Sequence, residues 1–210
     1  NFFSHERIGP ASRLEVILAS LEYTVHPWEH PVQHTGPGYG MGPYGYARLI
    51  YAVKAGAGDS HGNWWNATVW SECRSMAAAY FAEIADDLQE ASTLSQDLSK
   101  RYSSIAEGLS RVSDKEMDAT EKVALLETIR EDELVCIGQV AQCAETIRPE
   151  AAALTWGGVG PTHPPDTTGR TASQPCSRTN DRRSHARIGS VFQGLRSGVE
   201  RQGRRGVRRL

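Results

Sequence analysis

The chain has 210 residues, enough for one domain with or without a tail, and 39% of them are hydrophobic, below the roughly 45–50% of ordinary globular proteins. Its net charge of −2 is the sum of two unlike pieces: residues 1–150 hold 12 Lys and Arg against 22 Asp and Glu, whereas residues 151–210 hold 11 Arg, no Lys and 3 acids. No run of 18 apolar residues and no basic-then-apolar leader occurs, so neither a membrane span nor a secreted protein is expected and a cytoplasmic location is.

Leu14, Ile17, Leu18, Leu21 and Val25 recur at intervals of three and four after Gly9-Pro10, predicting a first helix of about 15 residues that starts at Pro10. His26-Pro27 is expected to end it, because the residue before a proline is pushed out of the helical region. His26, His30 and His34 follow at four-residue spacing, which on one helix would make a metal-binding stripe. Pro27 and Pro31 interrupt that helix, so the spacing loses its geometric meaning, and no metal site is expected from these residues with His61.

Gly36 to Gly45 contains five Gly and two Pro. No Lys-Ser/Thr follows to make a Walker loop, and no apolar strand precedes to make a dinucleotide fold. The run is expected to let the backbone pass close to another segment or to a ligand. Pro43 opens a second helix with Tyr46, Leu49, Ile50 and Val53 on one side, stopped by Gly56 and Gly58. After the turn GDSHGN, capped by Asn63 or Asp59, a third helix is predicted from about Trp65 to Gln89, with Val69, Cys73, Met76, Tyr80, Ile84 and Leu88 inward. Ala77, Ala78, Ala79 and Ala82 beside that stripe permit close packing.

Ser92 or Thr93 caps a fourth helix carrying Leu94, Leu98, Tyr102, Ile105, Leu109 and Val112, and a fifth runs to about Ile147, ended by Arg148-Pro149. Val123, Leu126, Ile129, Ile137, Val140 and Ala144 form its apolar face, and Glu133 lies on that same face. A carboxylate there must be paired or protonated, with Arg48 or Arg74 as partner. The fold class is therefore mainly α: an antiparallel bundle of about five helices over residues 1–149. Residues 150–210, rich in Gly, Pro, Ser, Thr and Arg, are expected to form a disordered tail. Eleven Arg with no Lys also fits an out-of-frame reading of a GC-rich gene, and nucleic-acid binding is not expected.

The chemistry-bearing groups gather between residues 36 and 83. Tyr44, Tyr46, His61, Asn63, Trp64, Trp65, Trp70, Glu72 and Arg74, with Glu133, are the candidate walls of a substrate pocket. No GxSxG elbow is present, and Cys73 on its apolar stripe is expected to be buried, so no catalytic residue and no cofactor are assigned. Cys136 and Cys143, seven apart, sit too far along a helix to be bridged; all four Cys, Cys176 included, are read as thiols.

The order LEVILASLEYTV, GYGMGPYGYARLIYAVKAG, NWWNATVWSECRSMAAAYFAEI, LSKRYSSIAEGL and EKVALLETIREDE resembles the helical region of butirosin biosynthesis protein H-like, C39 cysteine-peptidase-like proteins, over about residues 9–147. The resemblance implies a helical portion beside a papain-like α/β part that performs acyl transfer from a thioester or peptide cleavage. The family's nucleophilic Cys lies ahead of these helices and has no match here, so the chain is expected to be a fragment, inactive alone, facing a small-molecule substrate or a missing N-terminal catalytic domain. Two other readings stand beside it: a stand-alone bundle metalloenzyme resembling DinB-like proteins, and a helical interaction module. The oligomeric state is left open.

Overall fold

The computed structural model describes residues 11–36 and 38–156, with side chains placed through Ala153. The expectations for Pro10, for Cys176 and for the Arg-rich segment beyond Trp156 lie outside these residues. The described part is a mainly α helical bundle.

Helix α1 spans Arg13–Glu29 and starts with a capping box: Ser12 accepts from the Glu15 backbone N–H while the Glu15 carboxylate accepts from that of Ser12. It does not stop at His26 but runs through Pro27 to Glu29. A proline inside a helix removes one backbone hydrogen bond, and here the lost bond falls in the last turn, where the chain is about to leave the helix anyway. His30 breaks the backbone (φ −125, ψ 52), and Pro31 opens the single-turn helix α2, Pro31–His34.

After the glycine-rich loop, Pro43 stands at the start of α3, Pro43–Ala52, as its fixed φ predicts. A π-turn over Val53–Ala57 continues it until Gly56, at φ 84, ends the helical path. Helix α4 covers His61–Ile84, four residues earlier than the sequence suggests, because the cap is neither Asn63 nor Asp59 but Ser60, whose hydroxyl accepts from the Asn63 N–H. Asn63 instead reaches back from the first turn and donates its side-chain amide to the Ala57 carbonyl at 2.6 Å. Two 3-10 turns, Ala85–Asp87 and Gln89–Ala91, lead into α5, Ser92–Val112, which has no side-chain cap.

Helix α6 spans Ala119–Trp156. Asp118 caps it, accepting from the N–H groups of Thr120 and Glu121 at 2.8 and 3.2 Å, which holds its carboxyl below the ordinary range. Pro149 does not end this helix either, and the reason is packing. Ile147 and Ala151 are both buried on either side of the proline, and Arg148 pairs with Glu22 of α1 as well as Glu145 of its own helix.

Helix α6 packs against α1, α3 and α5, and α5 packs against α4. The core between them is made of Leu21, Tyr46, Leu49, Ile84, Leu98, Ile105, Leu109, Leu126, Val140 and Ile147 with their neighbours. The inward face of α4 follows its apolar stripe at Tyr80 and Ile84, and at Leu88 just beyond its end, but departs from it earlier in the helix. Cys73 and Met76 are exposed, while Ala67, Ala78, Phe81 and Ile84 are buried and Trp70 and Tyr80 partly so. Toward α5 the helix presents small residues, and the Ser71 hydroxyl donates to the Ala106 carbonyl there at 2.8 Å. Among the described residues no helix is long and apolar enough to cross a membrane.

Candidate ligand pocket and its ion pair

The centre of the candidate site is one ion pair. Arg74 Nη2 donates to Glu133 Oε2 at 2.9 Å and Arg74 Nε donates to Oε1, a two-pronged bond between α4 and α6. Glu133 is 1% exposed and the Arg74 side chain 23%. Of the two cations the sequence offers, Arg74 takes the buried carboxylate, and Arg48 stays at the surface and donates to the Gly38 carbonyl. Burial works against the charged guanidinium, but the hydrogen bond and the charge of Glu133 outweigh it and hold Arg74 above its ordinary range. The fork uses Nε and Nη2, leaving Nη1 outside the pair.

Tyr46 of α3 lies beside this pair. It is 1% exposed, and its hydroxyl oxygen has no hydrogen-bond partner of ordinary geometry among the described residues. Burial first, and then the charge of Glu133, push the phenol well above its usual range, so it stays neutral. Its ring meets Trp70 edge to face, with centroids 5.1 Å apart. Trp70 and Arg74, one turn apart on α4, thus present an indole and a guanidinium to the same space.

That space is a cavity of about 360 Å³. Tyr46, Trp70 and Arg74 form one side, Tyr23, Thr24, Pro27 and Trp28 of α1 another, and Gly40, Met41 and Gly42 close it. The loop can lie there because of its glycines. A Cβ at Gly40 would stand 2.7 Å from both the carbonyl carbon and oxygen of Tyr44. Gly42 has φ 56, and a Cβ there would press 3.1 Å from the Trp28 ring. The close backbone approach expected of the glycine run is made against Trp28 and the start of α3.

The sequence-predicted pocket is only partly assembled. Tyr46, Trp70 and Arg74 line the cavity and Glu133 stands behind Arg74. Tyr44 is half-buried and does not line it. Glu72 points outward and is exposed, as i and i+2 positions on a helix face different ways. His61, Asn63, Trp64 and Trp65 are in the first turns of α4, about 14–20 Å of helix rise from Arg74. They form a cluster of their own: His61 and Trp64 rings lie 5.2 Å apart, Trp64 and Trp65 6.1 Å, and Lys115 sits over Trp64 at 5.6 Å. Trp65 is 55% exposed.

Sequence reasoning missed Tyr23, Trp28 and Met41 as walls. The signal was there for Trp28, the one bulky aromatic among the prolines and histidines of residues 26–34, but a helix ending at His26 would have left it in a loop. It also missed Lys122, which is 2% exposed and donates to the carbonyls of Gly58 and Asp114 at 3.2 and 2.7 Å, tying two loops together.

Among the described residues no three His, Cys, Asp or Glu side chains stand as a preformed metal cage. Cys136 and Cys143 are buried, and burial pushes their thiols up to about 12 and about 11. No family model, no curated protein and no solved structure matches the chain.

Proposed function

We propose that the bundle is a non-catalytic ligand-binding domain that holds a small planar or aromatic molecule, bearing a hydrogen-bond acceptor, in the cavity between α1, α3 and α4. The observation that carries this is the Arg74–Glu133 pair at the wall of an aromatic-lined cavity. A cavity of about 360 Å³ falls at the lower end of the roughly 300–1,000 Å³ typical of small-molecule sites. Trp28, Tyr46 and Trp70 supply flat apolar surface, and Arg74 supplies a donor already oriented by a buried partner, so little ordering is left to do on binding.

The likeness to the helical region of butirosin biosynthesis protein H-like, C39-like proteins agrees with a substrate-facing role beside a separate catalytic part. It rests on helix order and aromatic–glycine spacing alone.

The test is a thermal-shift and calorimetric screen of a small aromatic panel, with benzoate, indole-3-acetate and their neutral amides, against the full chain. Binding of at least one member, abolished in Trp70→Ala and Arg74→Met but kept in Trp65→Ala, is the expected result. Binding that survives both cavity substitutions, or disappears in Trp65→Ala, would reject the cavity as the site.

A further inference from the structure

Arg74 meets the cavity with its charge already compensated. Glu133, 1% exposed, stands behind the guanidinium and accepts from its Nε and Nη2, which leaves Nη1 for a molecule held among Trp28, Tyr46 and Trp70. Of the described residues that line the cavity, Arg74 alone carries a formal charge at neutral pH, since burial keeps the Tyr46 phenol neutral. The surrounding bundle is acidic, with 12 Lys and Arg against 22 Asp and Glu in residues 1–150.

These charges decide what kind of acceptor the cavity takes. A ligand carboxylate beside Arg74 would add a second negative charge to a pair that is already neutral and largely buried, and would give up its own hydration to do so. The acidic bundle adds a repulsive field to that cost. An uncharged carbonyl oxygen can accept from the same N–H without either penalty, and a hydrogen bond from a cation is among the stronger kinds. Selectivity is a difference of two affinities, and here a negative group placed behind the donor works against one class of ligand. On the footing that this cavity is the ligand site, we propose that it selects a neutral aromatic carbonyl compound, an aryl amide or lactam, over the matching carboxylate. Glu133 sets that preference through Arg74.

The experiment is calorimetry at neutral pH on the full chain, comparing benzamide and indole-3-acetamide with benzoate and indole-3-acetate. Nitrobenzene, which has the outline of benzoate without its charge, separates charge from shape. The wild type is expected to bind the amides and nitrobenzene more tightly than the acids by about tenfold or more, equal to roughly 1.4 kcal/mol. Glu133→Gln keeps an acceptor for Arg74 but removes the negative charge, so the amide-to-acid ratio should fall by a similar factor or reverse. Loosened packing alone would weaken both kinds of ligand alike, so an unchanged ratio in that variant would overturn the proposal. Acids that bind the wild type as tightly as their amides or nitrobenzene, at a site lost in Trp70→Ala, would overturn it too while leaving the cavity as the ligand site. Binding by no member of the panel would overturn both.

Discussion

Arg74 and Glu133 show how one residue out of pattern organises a site. Glu133 interrupts the apolar face of α6, and a buried carboxylate left alone costs several kcal/mol, so a partner is obligatory. That much is legible from the sequence, as is the pair of candidates, Arg48 and Arg74. The choice between them is not, because periodicity gives the face of a helix and not the helix opposite. The account predicts that Glu133→Ala, which leaves the half-buried Arg74 guanidinium without its partner, destabilises the protein by about 1–3 kcal/mol in urea unfolding, while the double variant Arg74→Met, Glu133→Leu loses clearly less than the single. Thiol reactivity gives a second check at this scale. With their thiols at about 12 and about 11, Cys136 and Cys143 should resist an aromatic disulfide reagent at pH 8 in the native protein, while exposed Cys73 reacts at once. Equal labelling of all three in the native state would contradict the burial described for α6.

At the scale of elements, the sequence gives helix existence and core-facing positions well for α5 and the first part of α6, and less well where packing overrides local preference. Pro27 lies in the last turn of α1, where the lost hydrogen bond falls at the helix end, and Pro149 lies inside α6 between buried Ile147 and Ala151. The face of α4 matches its apolar pattern only in part. The stripe Val69, Cys73, Met76, Tyr80, Ile84 and Leu88 holds in its second half, where Ile84 and Leu88 are buried and Tyr80 packs against the core, and fails at Cys73 and Met76, which are exposed. This displaced the predicted pocket as well, since Trp70 and Arg74 turn inward while Trp64 and Trp65 remain with His61 at the start of the helix. The glycine loop offers the sharpest element-level test. In Gly40→Ala the new methyl meets the backbone of Tyr44, which cannot yield as a flexible side chain would. A loss of about 1–3 kcal/mol in chemical unfolding is expected, along with weaker ligand binding, because the loop that closes the cavity must move. A neutral result would mean the loop is not held where it is described.

For the whole molecule, the described bundle carries its own core from α1 to α6. Removing residues 158–210 is therefore expected to leave the thermal midpoint of the bundle unchanged within about 2 °C, less than a 1 kcal/mol change would produce in a domain of this size; a large drop would show that the Arg-rich segment stabilises the bundle. Helix α4 divides the aromatic residues into one cluster at its middle, around Trp70 and Arg74, and another at its start, around His61, and the central claim is that the first is the ligand site. Indole N–H resonances read this most directly, with each Trp assigned by a Trp→Phe variant. On saturation with a binding member of the aromatic panel, the Trp28 and Trp70 signals should shift while those of Trp64 and Trp65 stay in place. Shifts confined to Trp64 and Trp65 would contradict the account.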